Sequence, residues 1–202
     1  DNKKHPKTEF NNFIIRNQNR SLICQNPIVI WLTGLSGAGK TTIAKNINKI
    51  ILEYGYFTKH FDGDEIRKGL NKDLGFSEFD RTENIRRIAE VSKLFVNSGL
   101  IVICSFISPT TEMRVLAKNI IGKKRFIEVY INCPIEVCES RDVKGLYKKA
   151  RAGLIKNFTG INSVYDPPLN ADLVIKTDKW DIEYSSKFLL DKISPIIKVK
   201  TQ

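Results

Sequence analysis

From residue 28 onward, short apolar runs alternate with longer stretches whose apolar positions recur every three or four residues. That alternation is the mark of strands feeding crossover helices, and so of a parallel sheet covered on both faces. Ile28-Val29-Ile30-Trp31-Leu32 reads as the first strand, and the amphipathic stretch 41–54 as the helix behind it. Residues 57–61 read as a second strand ending at Asp62. Residues 100–106 are nearly all apolar, as a strand buried on both faces must be. Residues 126–131 give a fourth strand, and Pro134 suits the first turn of the helix after it. A fifth strand at 173–175 precedes a closing helix over 182–193. Between the second and third strands the pattern predicts a long helix over 79–98. Ser77 is its N-cap, with Asp80 three residues on, and Gly99 closes it. Ile85, Ile88, Ala89, Ser92, Phe95 and Val96 share one face of that helix.

Three segments stand outside this pattern. Residues 1–12 are polar and read as a mobile arm. Residues 13–26 carry Phe13, Ile14, Ile15, Leu22 and Ile23, enough to pack either on the domain or on a second copy of the chain. Residues 142–160 are basic, glycine-punctuated and weakly periodic, which fits a mobile lid.

Composition narrows the class. The chain has 202 residues, 42% of them hydrophobic and 27% charged, which suits one soluble α/β domain. No apolar run approaches the ~20 residues of a membrane span. The net charge of +11 raises the question of nucleic acid. The basic residues are spread along the chain, with no block longer than Lys123-Lys124-Arg125 and no nucleic-acid-binding signature, so a small polyanionic substrate is the simpler reading. The four cysteines have no CxxC spacing: Cys104 falls in a strand, Cys133 at a strand end, Cys138 in a short helix and Cys24 in the arm. That distribution fits a reducing compartment, the cytoplasm, and argues against a metal cluster. The chain begins at Asp1 without Met, which leaves a removed organelle-targeting segment open.

Residues 34–41, Gly34-Leu35-Ser36-Gly37-Ala38-Gly39-Lys40-Thr41, form a complete P-loop between the first strand and its helix. Glycines let the backbone curl so that successive N–H groups point at phosphate oxygens, and the following helix adds its positive dipole end. Lys40 then reaches the β- and γ-phosphates, and the Thr41 hydroxyl is offered to Mg²⁺. The alternative is a glycine-rich turn without a ligand.

A P-loop does not say what attacks the γ-phosphate. Asp142-Val-Lys-Gly145 spells the DxxG of a GTPase but follows a short helix, and Asn71-Lys72-Asp73 misses the guanine-reading spacing by one place. The third strand leaves as Ser105-Phe106-Ile107-Ser108-Pro109, without the carboxylate of a motor ATPase. Asp62-Gly63-Asp64 instead follows the second strand, at the carboxyl edge where open parallel sheets bind ligands. One carboxylate can sit near Mg²⁺-bound water and the other near an acceptor hydroxyl, in either order. Arg67 lies one helical turn beyond Asp64, and Arg81, Arg86 and Arg87 open the long helix. Such a cluster suggests an anionic acceptor. Arg86 and Arg87 fit a solvated helix face equally well.

The strings Gly34–Thr42, Asp62-Gly-Asp-Glu-Ile-Arg67, Leu74-Gly-Phe76 with Asp80-Arg81, and Glu83-Asn84 onward to Val91 resemble the adenylyl-sulfate (APS) kinases. So do Ser105–Pro109, Arg141–Gly153 and Phe158-Thr-Gly-Ile161; the resemblance spans residues 13–178 in order. It implies a P-loop NTPase fold with a five-stranded parallel sheet, order 2-3-1-4-5, flanked by helices. On that reading residues 1–26 are an arm and 27–202 a kinase domain with its lid at about 142–160. The implied reaction moves the γ-phosphate of MgATP to the ribose 3′-hydroxyl of APS, giving 3′-phosphoadenylyl sulfate and ADP. Lys40, Asp62 and Asp64 would be catalytic, with Thr41 and Asp62 serving Mg²⁺, Asp62 through water. The P-loop through Thr42, with Arg141, Lys148 and Thr177, would bind ATP. Asp64, Arg67, Phe76, Arg81, Asn84, Ile107, Ser108, Lys144, Leu146, Asn157 and Phe158 would line the APS site, Phe76 and Phe158 sandwiching the adenine.

Departures from the family pattern are Thr110-Thr111-Glu112-Met113 after the Ser-Pro, Leu154 where an acid is common, and Asn157 in place of the glycine before Phe158. None removes a catalytic group. The family has been associated with a phosphoserine, which would fall on Ser108; direct in-line transfer needs no such stop, so Ser108 is read as an acceptor contact. The resemblance also implies a homodimer, with the arm contributing to the contact. Two rivals stay open: another small P-loop kinase, and a catalytically silent nucleotide-binding subunit.

Overall fold

The computed structural model describes residues 24–199, so the expectations for the arm up to residue 23 lie outside the described residues. Five strands form one parallel sheet: β1 (Val29–Thr33), β2 (Thr58–Asp62), β3 (Ile101–Ser105), β4 (Phe126–Asn132) and β5 (Leu173–Lys176). Their order is β2-β3-β1-β4-β5, as the resemblance implies. The all-apolar runs occupy the middle: every residue of β1 and β3 is buried, and Val29 pairs with Val102 on one side and Phe126 on the other. The half-polar strand β2 takes an edge, where water reaches it.

The described residues form seven α-helices: α1 (Lys40–Glu53), α2 (Gly63–Lys68), α3 (Glu78–Asn97), α4 (Thr111–Ile121), α5 (Ile135–Arg141), α6 (Leu146–Arg151) and α7 (Ile182–Ile197). The alternation of side chains along β1 divides the core. Ile30 and Leu32 join α1, α5, α6 and α7 on one face, whereas Val29 and Trp31 join α3 and α4 on the other. Ser77 caps α3 as its sequence predicts, accepting from the Asp80 N–H. Five of the six expected face residues of α3 are buried, and the sixth, Phe95, packs against this second cluster and meets Phe61 edge-on at 5.2 Å.

The pattern left three helices unassigned. α4 begins in the unusual Thr110-Thr111 run, where the Thr110 hydroxyl accepts from the Met113 N–H. α2 has no buried residue and so lacks an apolar face to detect. α6 lies inside the weakly periodic segment 142–160, and only Tyr147 and Ala150 of its six residues are buried. Its start is fixed by Asp142, whose carboxylate accepts from the N–H groups of Tyr147 and Lys148 at 3.0 Å each.

The P-loop is pressed against β4 and α5 closely enough to exclude side chains. A Cβ on Gly34 would stand 2.5 Å from the Ile131 carbonyl oxygen, and one on Gly37, at φ 76°, 2.9 Å from that of Cys138. We therefore expect Gly37→Ala to lower unfolding stability by at least the ~1–2 kcal/mol of a left-handed L-residue, and to weaken ATP binding in parallel. Urea denaturation and nucleotide titration check this; wild-type values in both would contradict the close approach.

Candidate active site

The carboxyl ends of β1, β2 and β3 converge on the N-terminus of α1. Gly39 precedes that helix at φ 97°, and no side chain caps it. Its first N–H groups are therefore left for an outside acceptor, which is the electrostatic setting of a phosphate site. Lys40 is buried and donates to the Gly34 and Leu35 carbonyls at 2.9 and 2.7 Å. Burial lowers its ammonium to about 8 from an ordinary 10.5; Cys138, Asp62 and Asp64 pull the other way.

Asp62 ends β2 and caps α2, accepting from the Asp64 N–H at 3.0 Å. Its second oxygen accepts from the hydroxyls of Thr41 at 2.7 Å and Ser105 at 2.9 Å. Burial alone would raise this carboxyl, but those hydroxyl and N–H donors hold it below the ordinary value, so it is an anion at neutral pH. The ring of His60 contacts Ser105 Oγ at 2.9 Å, and burial lowers its pKa, which favours the neutral imidazole. A hydroxyl and a carboxylate at a P-loop mouth are the hard oxygen donors that suit Mg²⁺. Among the described residues no cluster of three His, Cys, Asp or Glu side chains makes a closed metal cage.

Asp64 is exposed and forms an ion pair with Lys144, just before α6. On the far side, the Arg67 guanidinium lies 4.4 Å over the exposed ring of Phe76, with that of Arg81 at 5.7 Å. Arg67 donates to the carbonyls of Leu74 and Gly75. Arg81 donates to the Phe76 carbonyl at 3.0 Å, to Thr159 Oγ1 at 2.9 Å and to the Asn157 carbonyl. Burial and the neighbouring charge of Arg67 both lower Arg81, so two cations are held together beside an aromatic face. Asn157 adopts φ 58°, the left-handed region in which Asn is tolerated and glycine ordinary. That explains how Asn stands where the family pattern has Gly.

Arg141 and Thr177, both expected at ATP, bracket the P-loop from outside. Arg141 donates to the Thr177 carbonyl at 2.6 Å, and Thr177 Oγ1 to that of Ala38 at 2.8 Å. Lys148 is exposed on α6, and Leu146 packs against the core. Phe158 is buried edge-on against Tyr147 at 4.9 Å, while Phe76 is 57% exposed, so the two expected stacking partners start from different environments. Asn84 is buried and accepts from Asn71 at 2.8 Å. Ser108 is buried beside half-buried Ile107. Arg86 and Arg87 turn to Glu83, and Arg87 also to Asp73; hydrogen bonds from both arginines hold the Glu83 carboxyl at about 2. They belong to a solvated helix face.

Sequence reading did not single out Ser105, His60, Thr159 or Tyr147, whose hydroxyl donates to the Ser36 carbonyl at 2.9 Å. Ser105 carried a faint signal, as the polar end of an apolar strand whose register sets it beside Asp62.

Because Lys40 titrates near 8, phosphate beside it favours its charged form, and ATP binding just above that pH takes up protons. Calorimetry in two buffers of different ionisation enthalpy reads this uptake, and Lys40→Met abolishes it; identical apparent enthalpies for wild type would contradict it. The folded pKa lies below that of the unfolded chain, so Lys40's share of stability rises with pH from about 8 to 10.5.

The same chain matches known proteins along most of its length. The family profile for adenylylsulphate kinase covers residues 26–176. An adenylyl-sulfate kinase of Bacteroides thetaiotaomicron is 48% identical over 198 residues, 98% of each chain. One from Clostridium acetobutylicum is 52% identical over 179 residues, 88% of this chain and 89% of that one. Among solved structures, the Mycobacterium tuberculosis APS kinase CysC in complex with AMPPNP and APS superposes with a TM-score of 0.81 at 42% identity, over 84% of this chain and 98% of that one. The chain belongs to the adenylyl-sulfate kinase family.

Proposed function

We propose that this protein transfers the γ-phosphate of MgATP to the 3′-hydroxyl of APS. The observation that carries the reading is the placement of Asp64 between two unlike subsites. One is the uncapped P-loop with Lys40 and the Thr41–Asp62 contact; the other is the cationic, aromatic corner of Arg67, Arg81 and Phe76. The first suits a triphosphate. The second suits a base joined to a phosphosulfate, and the APS-bound relative supports that choice.

Lys40 neutralises charge on the β- and γ-phosphates. Thr41 and Asp62 would hold Mg²⁺, which screens phosphate charge when bound with ATP. Asp64 accepts the proton of the 3′-hydroxyl, and Lys144 gives up its ion pair to face the acceptor. Arg67 and Arg81 hold the phosphosulfate, and Phe76 and Phe158 take the adenine from opposite sides. Asn84, Ile107, Ser108, Leu146 and Asn157 complete the acceptor site, whereas Arg141, Thr177 and Lys148 serve ATP. The segment 142–160 acts as a lid that excludes water as a competing acceptor. Ser108 is a contact, not a phosphorylated intermediate.

We also read the protein as a cytoplasmic homodimer. The buried thiols of Cys104, Cys133 and Cys138 fit a reducing compartment, and no described helix is long and apolar enough to cross a membrane. The contact would use the arm, residues 1–26, through its apolar stretch at 13–26. Gln25 and Asn26 are tied to Phe57, Gly99 and the end of α7, so deletion of residues 1–23 is the clean test by solution mass. An unchanged dimer mass rules the arm out as the main contact.

ADP formation with MgATP and a panel of APS, AMP, CMP, gluconate and shikimate tests the reading. We expect APS to exceed AMP by roughly tenfold or more in kcat/KM, about 1.4 kcal/mol for the sulfate–arginine interactions. Equal use of AMP overturns it, and no turnover with any acceptor favours a silent nucleotide-binding subunit. At the carboxylates, Asp64→Asn lowers kcat with little change in ATP affinity, whereas Asp62→Asn shifts the Mg²⁺ dependence. A magnesium titration of both variants separates the roles; near-wild-type turnover in both would remove either residue from the mechanism.

A further inference from the structure

Behind the acceptor corner, the turn that follows β3 is held in a conformation its residues do not favour. Ser108 has φ 40° and is 1% exposed, a left-handed setting for a residue with a Cβ. Such a conformation is disfavoured and persists only where surrounding contacts impose it.

Three of those contacts come from the sheet and from α4. The Trp31 indole N–H donates to Ser108 Oγ at 3.1 Å. Thr33 Oγ1 donates to the Ile107 carbonyl at 2.6 Å. Arg114 Nη1 donates to the Ser108 carbonyl at 3.0 Å, and Nη2 to Thr111 Oγ1 at 3.2 Å. On the other side of the turn, the Asp166 N–H donates to the Pro109 carbonyl at 2.8 Å.

Arg114 is the member of this set that calls for explanation, because its side chain is only 3% exposed. Its Nε lies 2.9 Å from Glu128 Oε1 on β4, whose side chain is 13% exposed. That oxygen has no aligned hydrogen-bond donor, so charge more than direction holds the pair. Burial pushes the Glu128 carboxyl up, and the Arg114 charge draws it back. Glu128 is fixed in turn, its N–H donating to the Asp172 carboxylate at 2.7 Å just before β5. A buried ion pair is weak as a source of stability, since desolvation cancels most of its attraction. Its yield here is geometric: one guanidinium fork bridges β4, the first turn of α4 and the strained carbonyl of Ser108.

We infer that Arg114, anchored by Glu128, is a positioning residue of the acceptor site, setting Ile107 and Ser108 at the distance the acceptor needs. This rests on the reading above in which those two residues touch APS. Arg114 faces the substrate only through the turn, so its removal changes acceptor binding and leaves the ATP side, built on the P-loop, unaltered. The Thr110-Thr111 run acquires a role as well, because Thr110 caps α4 and Thr111 takes one arm of the fork.

The test replaces the pair by apolar residues of similar size, Arg114→Met with Glu128→Leu, a type of exchange that preserves stability. Arg114→Lys is the second variant, keeping the charge but not the fork. Steady-state kinetics of APS-dependent ADP formation are measured first on wild type. We expect KM for APS to rise roughly tenfold in both variants, with KM for ATP within about twofold, as a sub-ångström displacement of a binding wall would give. A Trp180→Phe background leaves Trp31 as the single indole. Its emission should shift in both variants, since its hydrogen-bond partner is the displaced Ser108. Unchanged KM for APS, an equal rise of both KM values, or unshifted Trp31 emission overturns the inference. Loss of the fold in both variants does so too, by making the pair structural. If wild type shows no APS-dependent turnover, the functional reading fails and takes this inference with it.

Discussion

The carboxylate of Asp62 ties together the parts of this site that must not move independently. It accepts from Thr41 on α1, from Ser105 on β3 and from the Asp64 N–H at the start of α2. Three chain segments far apart in sequence thereby share one anion. Desolvation opposes that charge, and only the convergence of donors keeps the group ionised. A carboxylate fixed in this way leaves its neighbour, Asp64, outside the network and exposed, with a lysine as its partner. Two chemically identical side chains two residues apart are given different partners by position alone, hydroxyls and an N–H for Asp62 and a lysine for Asp64.

The parallel sheet makes that convergence possible. Every strand delivers its last residue to the same edge, and the central strands are buried along their whole length, so they form a rigid base. The register that sets Phe61 beside Cys104 also sets Asp62 beside Ser105. Trp31, stacked on Phe106 at 5.6 Å and tilted on Phe126 at 5.7 Å, carries the same rigidity from β1 into the turn after β3.

The sheet order, the long helix α3 with its Ser77 cap and the P-loop were legible because each has a local cause: hydrophobic period, cap chemistry, or glycine at a close approach. Candidate site residues could be picked out where they fall in short strings, as Lys40, Asp62 and Asp64 do. They could not where a residue's partner is distant in the chain. Ser105 has meaning only beside Asp62, Arg114 only beside Glu128 and Ser108, and Thr159 only beside Arg81. Short elements were missed for a related reason. α2 buries nothing and α6 only two side chains, so neither shows a period, and a carboxylate just upstream of each accepts backbone N–H from its first turn. Arg86 and Arg87 looked like Arg67 and Arg81 in sequence, and only the direction of their forks separates surface ion pairs from the corner around Phe76.

Arg81 is already occupied. Its guanidinium serves two backbone carbonyls and a threonine hydroxyl, all neutral acceptors. A molecule that recruits it therefore enters an exchange in which protein acceptors are surrendered as ligand acceptors are gained. A neutral ligand oxygen replaces like with like and gains almost nothing. A formally anionic oxygen replaces a dipole with a charge and makes a bond roughly twice as strong. Selectivity at such a position comes from the difference between two acceptors competing for one fork, so it screens against weakly polar molecules without any steric barrier to their entry.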